Sequence, residues 1–484
     1  MFLRLIKSAL KNKVFWYLAS RYFVLGLQFI ASIFLAVKLG AYYFGIWSFI
    51  LLLVNIGSSC NWGIGTAATV LLVQHKEDET LCNQYTFNAF LLVLLTFIPP
   101  LLILAYDRII GIPVFAKYHL GTLIYAVTAI VLLQYVSAFL VNIFRVKNKI
   151  LEIIIQQTLW PVCMFCLVVL ASGKHLLYLL TYSYAAVMLL LVVMFLGYKQ
   201  VFWKEKRSSP MLKEIASKGF FLFLYNVCFT FIVLSTKLQI SYFYSVDEFG
   251  YFAFAFALAQ GVMLLLDSLI FLLFPKMIDM LKGDDTQKII AGIDVLRKNY
   301  IFPLHLLFYT VLAISPLFFH YLPQYSKSFL PFILILFTLL MYSHCFGYNS
   351  YLLAQNKEKE FAGIVFGALI LNNILVYCLA ASGVKSEYVI LGTLITYAIY
   401  SVAVNCYALY CLKERNLTIY INKNIPRKKF FIYCATILLT ILFAHKRILL
   451  ILPLLLFVIL NIRNIQKIAK NTTELIKNNN LISI

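Results

Sequence analysis

The chain has 484 residues, of which 63% are hydrophobic and 12% charged, with a mean hydropathy of +0.89 and a formal net charge of +22. A soluble protein carries roughly 25% charged residues, so this chain lacks the polar surface to cover its apolar residues, and lipid must be their surroundings. The positive charge sits in short clusters between apolar runs, which argues against a nucleic-acid partner and fits basic cytoplasmic loops.

Taken in chain order, residues 1–15 mix Phe2, Leu3, Leu5, Ile6, Ala9 and Leu10 with Arg4, Lys7, Lys11 and Lys13. This pattern predicts a basic amphipathic helix lying on the anionic cytoplasmic leaflet. No small-residue cleavage site follows the first apolar run, which therefore reads as a span and not as a signal peptide. A membrane-crossing helix needs about 20 mainly apolar residues. Fourteen stretches qualify: 16–38, 44–66, 85–106, 120–143, 153–172, 176–198, 219–242, 250–274, 301–321, 329–353, 361–381, 388–411, 429–445 and 448–462. The count becomes twelve if the last short pair is interfacial. The expected fold is an all-α polytopic membrane protein with a six-helix lobe over 16–198 and a cytoplasmic basic linker over 199–218. A second six-helix lobe covers 219–412, and residues 413–484 supply two short additional spans and a basic tail. Most of the 41 Lys and Arg fall in alternate loops, as in Arg145-Val146-Lys147-Asn148-Lys149 and Arg427-Lys428-Lys429. That asymmetry places both termini in the cytoplasm. No loop has room for a soluble catalytic domain.

A shift of 205 residues lays Tyr43-Phe44-Gly45-Ile46-Trp47-Ser48 on Glu248-Phe249-Gly250-Tyr251-Phe252-Ala253. A shift of 208 lays Asn148-Lys149 on Asn356-Lys357. Both matches fall at corresponding loops, so the two lobes read as parallel repeats related by a pseudo-twofold axis along the membrane normal.

The segments Leu39-Gly40-Ala41-Tyr42-Tyr43-Phe44-Gly45, Asn61-Trp62-Gly63-Ile64-Gly65, Arg145 to Lys149 and Phe249-Gly250-Tyr251 leading to Pro275 resemble the polysaccharide flippase family. That family is part of the superfamily that includes multidrug and toxin extruders. The sequence departs from it at Asn61, where many relatives are acidic. The resemblance implies two helical lobes around a central cavity that alternates between faces. It implies as substrate an undecaprenyl-diphosphate-linked oligosaccharide, such as an O-antigen or capsule repeat unit, crossing a bacterial-type inner membrane. Membrane lipids are the surrounding partners, and a polysaccharide polymerase and chain-length machinery are further ones. No cofactor is expected, and the coupling ion, proton or sodium, stays open.

Polar residues within the spans suggest the cavity. Arg21, Gln28 and Ser32 lie within about 20° of one line along the first span, and Asn226, Thr230 and Lys237 share a similar stripe on the seventh. Asn55 and Ser59 share a face with Trp62, and Gln260 shares one with Asp267. The 205 shift maps Arg21 onto Asn226, Asn55 onto Gln260 and Trp62 onto Asp267. The expected cavity residues are therefore Arg21, Gln28, Asn55, Asn226, Lys237, Gln260 and Asp267. Cations there would replace water around a diphosphate, and amides would bond sugar hydroxyls. The plainer alternatives are snorkelling of Arg21 and Lys237 to the headgroups, an ion pair for Asp267, and helix-to-helix hydrogen bonds for the amides.

His305 and His344 read as packing residues, and the aromatic clusters at span ends as an interfacial belt. Cys163 and Cys166 read as small apolar residues, with no second pair at zinc spacing. The charged segments Asp107-Arg108, Asp247-Glu248 and Asp284-Asp285 sit in turn-like loops, so an enzyme is disfavoured. A multidrug or organic-cation extruder and a lipid II flippase are the competing transport functions. The first of these favours an acidic cavity, and here the one deep acid is Asp267.

Overall fold

The computed structural model describes residues 13–75, 77–197, 205–281, 285–355, 357–412 and 450–462; the side chains of Arg21 and Asp267 are outside that description. So are residues 1–12 of the expected amphipathic helix, 199–204 of the linker, the expected span 429–445 and the basic tail from 463.

Helix α1 (Lys13–Ser59) is two helical segments meeting at Gly40, whose φ of 68° and ψ of 174° interrupt the run. These are the first two spans. A turn follows in which Trp62 (φ 53°) and Gly63 (φ 66°) are left-handed. The Asn61 carboxamide oxygen accepts from the Gly63 amide at 3.0 Å, an Asx-type contact that starts α2 (Ile64–Gln74). Helix α3 (Glu79–Leu95) is capped by Asp78, which accepts from the Leu81 amide at 3.0 Å. Helices α4 (Ile98–Ile109) and α5 (Pro113–Lys117) lead to α6 (Leu123–Val146), α7 (Ile150–Leu170) and α8 (Lys174–Gly197). Then come α9 (Ser209–Phe243), α10 (Val246–Leu281) and α11 (Thr286–Tyr321). Helices α12 (Phe329–Ser343), α13 (Tyr348–Ala354), α14 (Glu358–Ala381), α15 (Ile390–Cys411) and α16 (Leu452–Ile462) complete the described elements.

The first twelve expected spans fall on helical stretches, but 44–66, 85–106 and 329–353 each cross a break, at 60–63, 96–97 and 344–347. Two helix starts lie well before the expected ones. Helix α9 begins at Ser209, inside the segment expected to be a linker, and α11 begins at Thr286 instead of 301. Hydropathy marks where a helix enters hydrocarbon, not where its hydrogen bonds begin. The polar extensions start at their own signals: Pro210 in the first turn of α9, and Asp285, whose carboxylate accepts from the Lys288 amide at 3.2 Å.

Nine helical stretches among the described residues are long and apolar enough to cross a bilayer. Helix α8 shows why lipid is their solvent. Leu180, Leu191 and Phe195 are fully buried, while Leu189, Leu190 and Val193 on the same helix are more than half exposed. A helix apolar on both faces belongs in a membrane. The protein is thus a multi-pass membrane protein.

The chain divides into two compact units, one of residues 1–271 with 357–396 and one of 272–356 with 397–484. In the first, α1 packs on α7, α6 on α8, and α9 along α14. The α9–α14 seam is polar: the Asn372 amide donates to the Ile232 carbonyl at 2.8 Å and to the Thr236 hydroxyl at 3.0 Å. Gln239 donates to the Asn373 carboxamide at 2.9 Å. Such hydrogen bonds join helices where apolar burial gives no drive between them.

The same unit contains the repeat motif's two copies face to face. Gly45 and Gly250 cross so closely that a methyl on Gly45 would overlap the Val246 carbonyl and sit 3.3 Å from the Gly250 nitrogen. A methyl on Gly250 would overlap the Ala41 carbonyl and sit 3.2 Å from the Gly45 nitrogen. Ala41 and Val246 are themselves related by the 205 shift. Around the crossing, Phe44 meets Phe254 edge-to-face at 6.0 Å and Phe49 meets Phe249 at 6.4 Å, again an exchanged pair under the same shift. The sequence repeat is therefore a local twofold relation in space, centred on two glycines.

In the second unit, Phe302 and Tyr309 of α11 pack on Phe457 of α16, with ring centroids 5.4 and 5.1 Å apart. His305 is buried with its ring 5.6 Å from that of His344. Arg297 donates to the His344 carbonyl at 2.6 Å and the Phe346 carbonyl at 3.4 Å, and its guanidinium lies over the Tyr348 ring at 4.7 Å. It thereby holds the break between α12 and α13, where Gly347 takes a φ of 89°.

Candidate functional site

The first unit has an open-sided cavity of about 630 Å³ among α1, α6, α7, α8 and the turn after α1. Small-molecule sites occupy about 300–1,000 Å³. Its polar lining is mostly uncharged amide: Gln28 and Asn61, Gln134 from α6, and Gln156 and Gln157 from α7. Among the described residues that line it none is acidic, and Arg145 is the one charged residue.

Each element places its residue by ordinary helix geometry. Gln134 and Arg145 are 11 residues apart on α6, so about 16 Å separate them along the axis. Arg145 stands at the last turn of that helix, while Gln134 is in its middle. Gln156, Gln157, Trp160 and Pro161 follow the opposite course up α7 from its first turn. The cavity thus runs from a cationic end at the α6–α7 turn to an uncharged interior at mid-helix depth.

The interior is aromatic and under-bonded. Trp160 and Tyr184 stack with centroids 4.1 Å apart and planes 10° from parallel. The Gln134 amide donates to the Tyr184 hydroxyl at 2.6 Å, and Tyr135 donates to the Gly57 carbonyl at 2.6 Å. The Gln134 carboxamide oxygen and the Ser137 hydroxyl are buried without hydrogen-bond partners. A buried group left so costs about 1–3 kcal/mol.

The family described as "Polysaccharide biosynthesis protein" matches residues 10–281, more than half of the chain. The chain belongs to that family. The matched region includes every residue that lines the cavity. No curated protein matches the sequence. Among solved structures, this polysaccharide biosynthesis protein is similar to the lipid II flippase MurJ in an inward closed conformation. The identity is 13%, the match covers 93% of this chain and 99% of that one, and the TM-score is 0.65. It is also similar to an inward-facing multidrug resistance MATE family transporter of the MOP superfamily, at 12% identity, 80% and 94% coverage and TM-score 0.59. The Vibrio cholerae MATE transporter VcmN gives 15% identity, 85% and 98% coverage and TM-score 0.54. At these identities the likeness is one of fold: the family member shares the pseudo-symmetric helical architecture of both transporter types.

Of the residues expected from sequence, Gln28 lines the cavity. Asn55, Asn226 and Gln260 are exposed and are not among its lining residues. The Asn55 carbonyl accepts from the Ser59 hydroxyl at 2.7 Å, and the Asn226 carbonyl from Thr230 at 2.8 Å. Lys237 sits with its ammonium 3.5 Å from the centre of the Phe256 ring, a cation–π contact between α9 and α10. Arg21 and Asp267 have helical backbones, and their side chains lie outside the described set.

Gln134, Gln156, Gln157, Trp160 and Tyr184 are not among the cavity residues expected from the sequence. A signal was present: two adjacent glutamines early in the fifth span and one in the middle of the fourth are polar groups at hydrocarbon depth. The repeat drew attention to spans one, two, seven and eight instead. Trp160 and Tyr184 were indistinguishable from membrane-belt aromatics until their stacking was seen.

Two lysines cap helix ends near the first unit's crossing. Lys38 donates to the Val169 and Ala171 carbonyls at 2.9 and 3.0 Å, at the end of α7. Lys117 donates to the carbonyls of Ser241, Tyr242 and Tyr244 at the end of α9. Burial pushes the Lys117 ammonium below the ordinary lysine range, and the α9 carbonyl dipoles offset that cost. Among the described residues, no cluster of three His, Cys, Asp or Glu is placed to hold a metal ion.

Proposed function

We propose that this protein translocates a lipid-linked oligosaccharide across the membrane for surface polysaccharide synthesis. The substrate class is an undecaprenyl-diphosphate-linked O-antigen or capsule repeat unit. The observation that carries the reading is the cavity itself, which among its described lining residues is rich in amides, holds no acid and has one arginine at its end. A saccharide needs groups that both donate and accept, which amides provide. A diphosphate needs a fork of N–H donors at the membrane edge, which Arg145 provides. The prenyl tail stays in lipid.

In this reading both termini are cytoplasmic, the membrane is the inner membrane, and the protein acts by alternating access, not by catalysis. The polar faces with Arg21, Asn55, Asn226, Lys237, Gln260 and Asp267 belong to the transport path, Asp267 is the candidate ion-coupling group, and a polymerase receives the product. Extrusion of organic cations is the less supported function, because a cation would meet Arg145 and no carboxylate in this cavity. Lipid II flipping differs only in the saccharide.

The test is genetic. Cells lacking the protein should accumulate undecaprenyl-linked repeat units on the cytoplasmic leaflet and lose surface polysaccharide, and Arg145→Gln should fail to restore it at normal protein levels. Unchanged surface polysaccharide with new sensitivity to cationic drugs would refute the proposal in favour of extrusion.

A further inference from the structure

We infer that the deep part of the cavity is a subsite for one uncharged sugar of the carried saccharide, separated from the phosphate contact at Arg145. The inference rests on the translocation reading above and names which part of the substrate each end of the cavity takes.

Three independent features point to it. The first is composition with depth. Among the described lining residues the one charge, Arg145, is in the last turn of α6, and the residues toward mid-helix are Gln134, Gln156, Gln157, Trp160 and Tyr184. A charged sugar carried to that depth would find no counter-ion among the lining residues, and an unpaired charge away from water is strongly disfavoured. An uncharged, hydroxyl-rich ring meets no such barrier.

The second feature is unused hydrogen-bonding capacity. The Gln134 carboxamide oxygen and the Ser137 hydroxyl, two of eight such atoms among the described residues, are buried just behind the cavity surface and have no partner. Buried polar atoms in native proteins are nearly always bonded, and a side-chain rotation at either residue would turn its polar atom to a ligand. Gln134 already gives its N–H to Tyr184. The oxygen left over is an acceptor, suited to a hydroxyl or an amide N–H such as an N-acetyl group carries.

The third feature is the aromatic pair beside those amides. Trp160 is 7% exposed and Tyr184 8% exposed, and their parallel stack makes a rigid apolar surface with few rotamers to freeze. The ring C–H faces of a pyranose are apolar and pack on such a surface, while the equatorial hydroxyls turn to the amides. A wall of this kind beside amides suits an uncharged, polyhydroxylated ring better than an aliphatic ligand.

The experiment uses the full-length protein in lipid nanodiscs and three short-chain prenyl diphosphate probes. One carries no sugar, one carries a single N-acetylhexosamine and one a single hexuronic acid. Binding is measured by calorimetry. The neutral sugar should tighten binding at least about tenfold over the bare diphosphate, and the uronic acid should not. Gln156→Leu with Gln157→Leu should remove the gain from the neutral sugar while the bare diphosphate binds as before; Arg145→Gln should weaken all three. If that double variant fails to fold, Ser137→Ala should give a smaller loss of the same kind. Equal affinity for all three probes, with translocation intact, overturns the sugar subsite and leaves the translocation reading standing. No binding of any probe together with no translocation overturns both.

Discussion

A methyl group at the Gly45–Gly250 crossing tests the twofold relation most directly. The obstacles a new Cβ would meet are backbone carbonyls, Val246 on one side and Ala41 on the other, and backbone cannot rotate away as a side-chain tip can. The two helices must therefore separate. Overpacking of this sort costs about 1–3 kcal/mol. Separation also loosens the Phe44–Phe254 and Phe49–Phe249 pairs, each worth about 0.5–1.5 kcal/mol beyond its buried area. Gly45→Ala and Gly250→Ala should be similar in cost, because the shift that relates the glycines also relates their obstacles. The double variant should cost less than the sum, since one separation makes room for both methyls. The shortfall should be about 1–2 kcal/mol, within the coupling range of residues in contact. Thermal unfolding of the purified protein in one detergent, with matched expression levels, measures the series. Strict additivity, or free tolerance of alanine at either glycine, would show that the two backbones do not meet as described.

Three further outcomes follow from single contacts. Asn372→Leu removes three donor contacts between α14 and α9, to Ile232, Ser235 and Thr236, and should lower stability by about 0.6–2 kcal/mol in the same assay; a rise would mean that these bonds are easily replaced. Arg297→Met removes the guanidinium from two carbonyls at the α12–α13 break, at about 1.5–3 kcal/mol for each charge-assisted bond, and should increase proteolysis in the 344–347 turn; unchanged cleavage would count against a bracing role. Asp78 has its carboxyl held below the usual range by hydrogen bonds from Thr80 and the Leu81 amide. A depressed folded-state pKa contributes stability above the unfolded value and loses it as pH falls through the folded one. Asp78→Asn keeps an N-cap acceptor and should flatten the acid limb of a melting-temperature profile; an unchanged limb would remove Asp78 from that dependence.

The sequence alone determined the setting and the skeleton. Apolar run length is a local sum over about 20 residues, so it located apolar helical stretches without reference to any partner. It missed where helices continue past hydrocarbon, as at Ser209 and Thr286, because backbone hydrogen bonds do not depend on lipid, and it missed the breaks at 60–63, 96–97 and 344–347. The Phe44-Gly45 and Phe249-Gly250 echo was legible too, since a duplicated fold keeps small residues where backbones must approach.

What the echo meant in space was decided by tertiary structure. Nothing local in either motif says that Gly45 rests on Gly250 rather than on some third helix. The cavity was hidden for the same reason. Gln134, Gln156, Gln157, Trp160 and Tyr184 lie on three helices, and whether an amide within a span bonds a neighbouring helix or faces an open space depends on how those helices pack. Gln28 and Gln239 illustrate the difference: both are lone glutamines within spans, yet the first lines the chamber and the second bonds Asn373. Polarity at depth marks a residue as needing a partner, and only the packed bundle shows whether that partner is protein or the space left for a substrate.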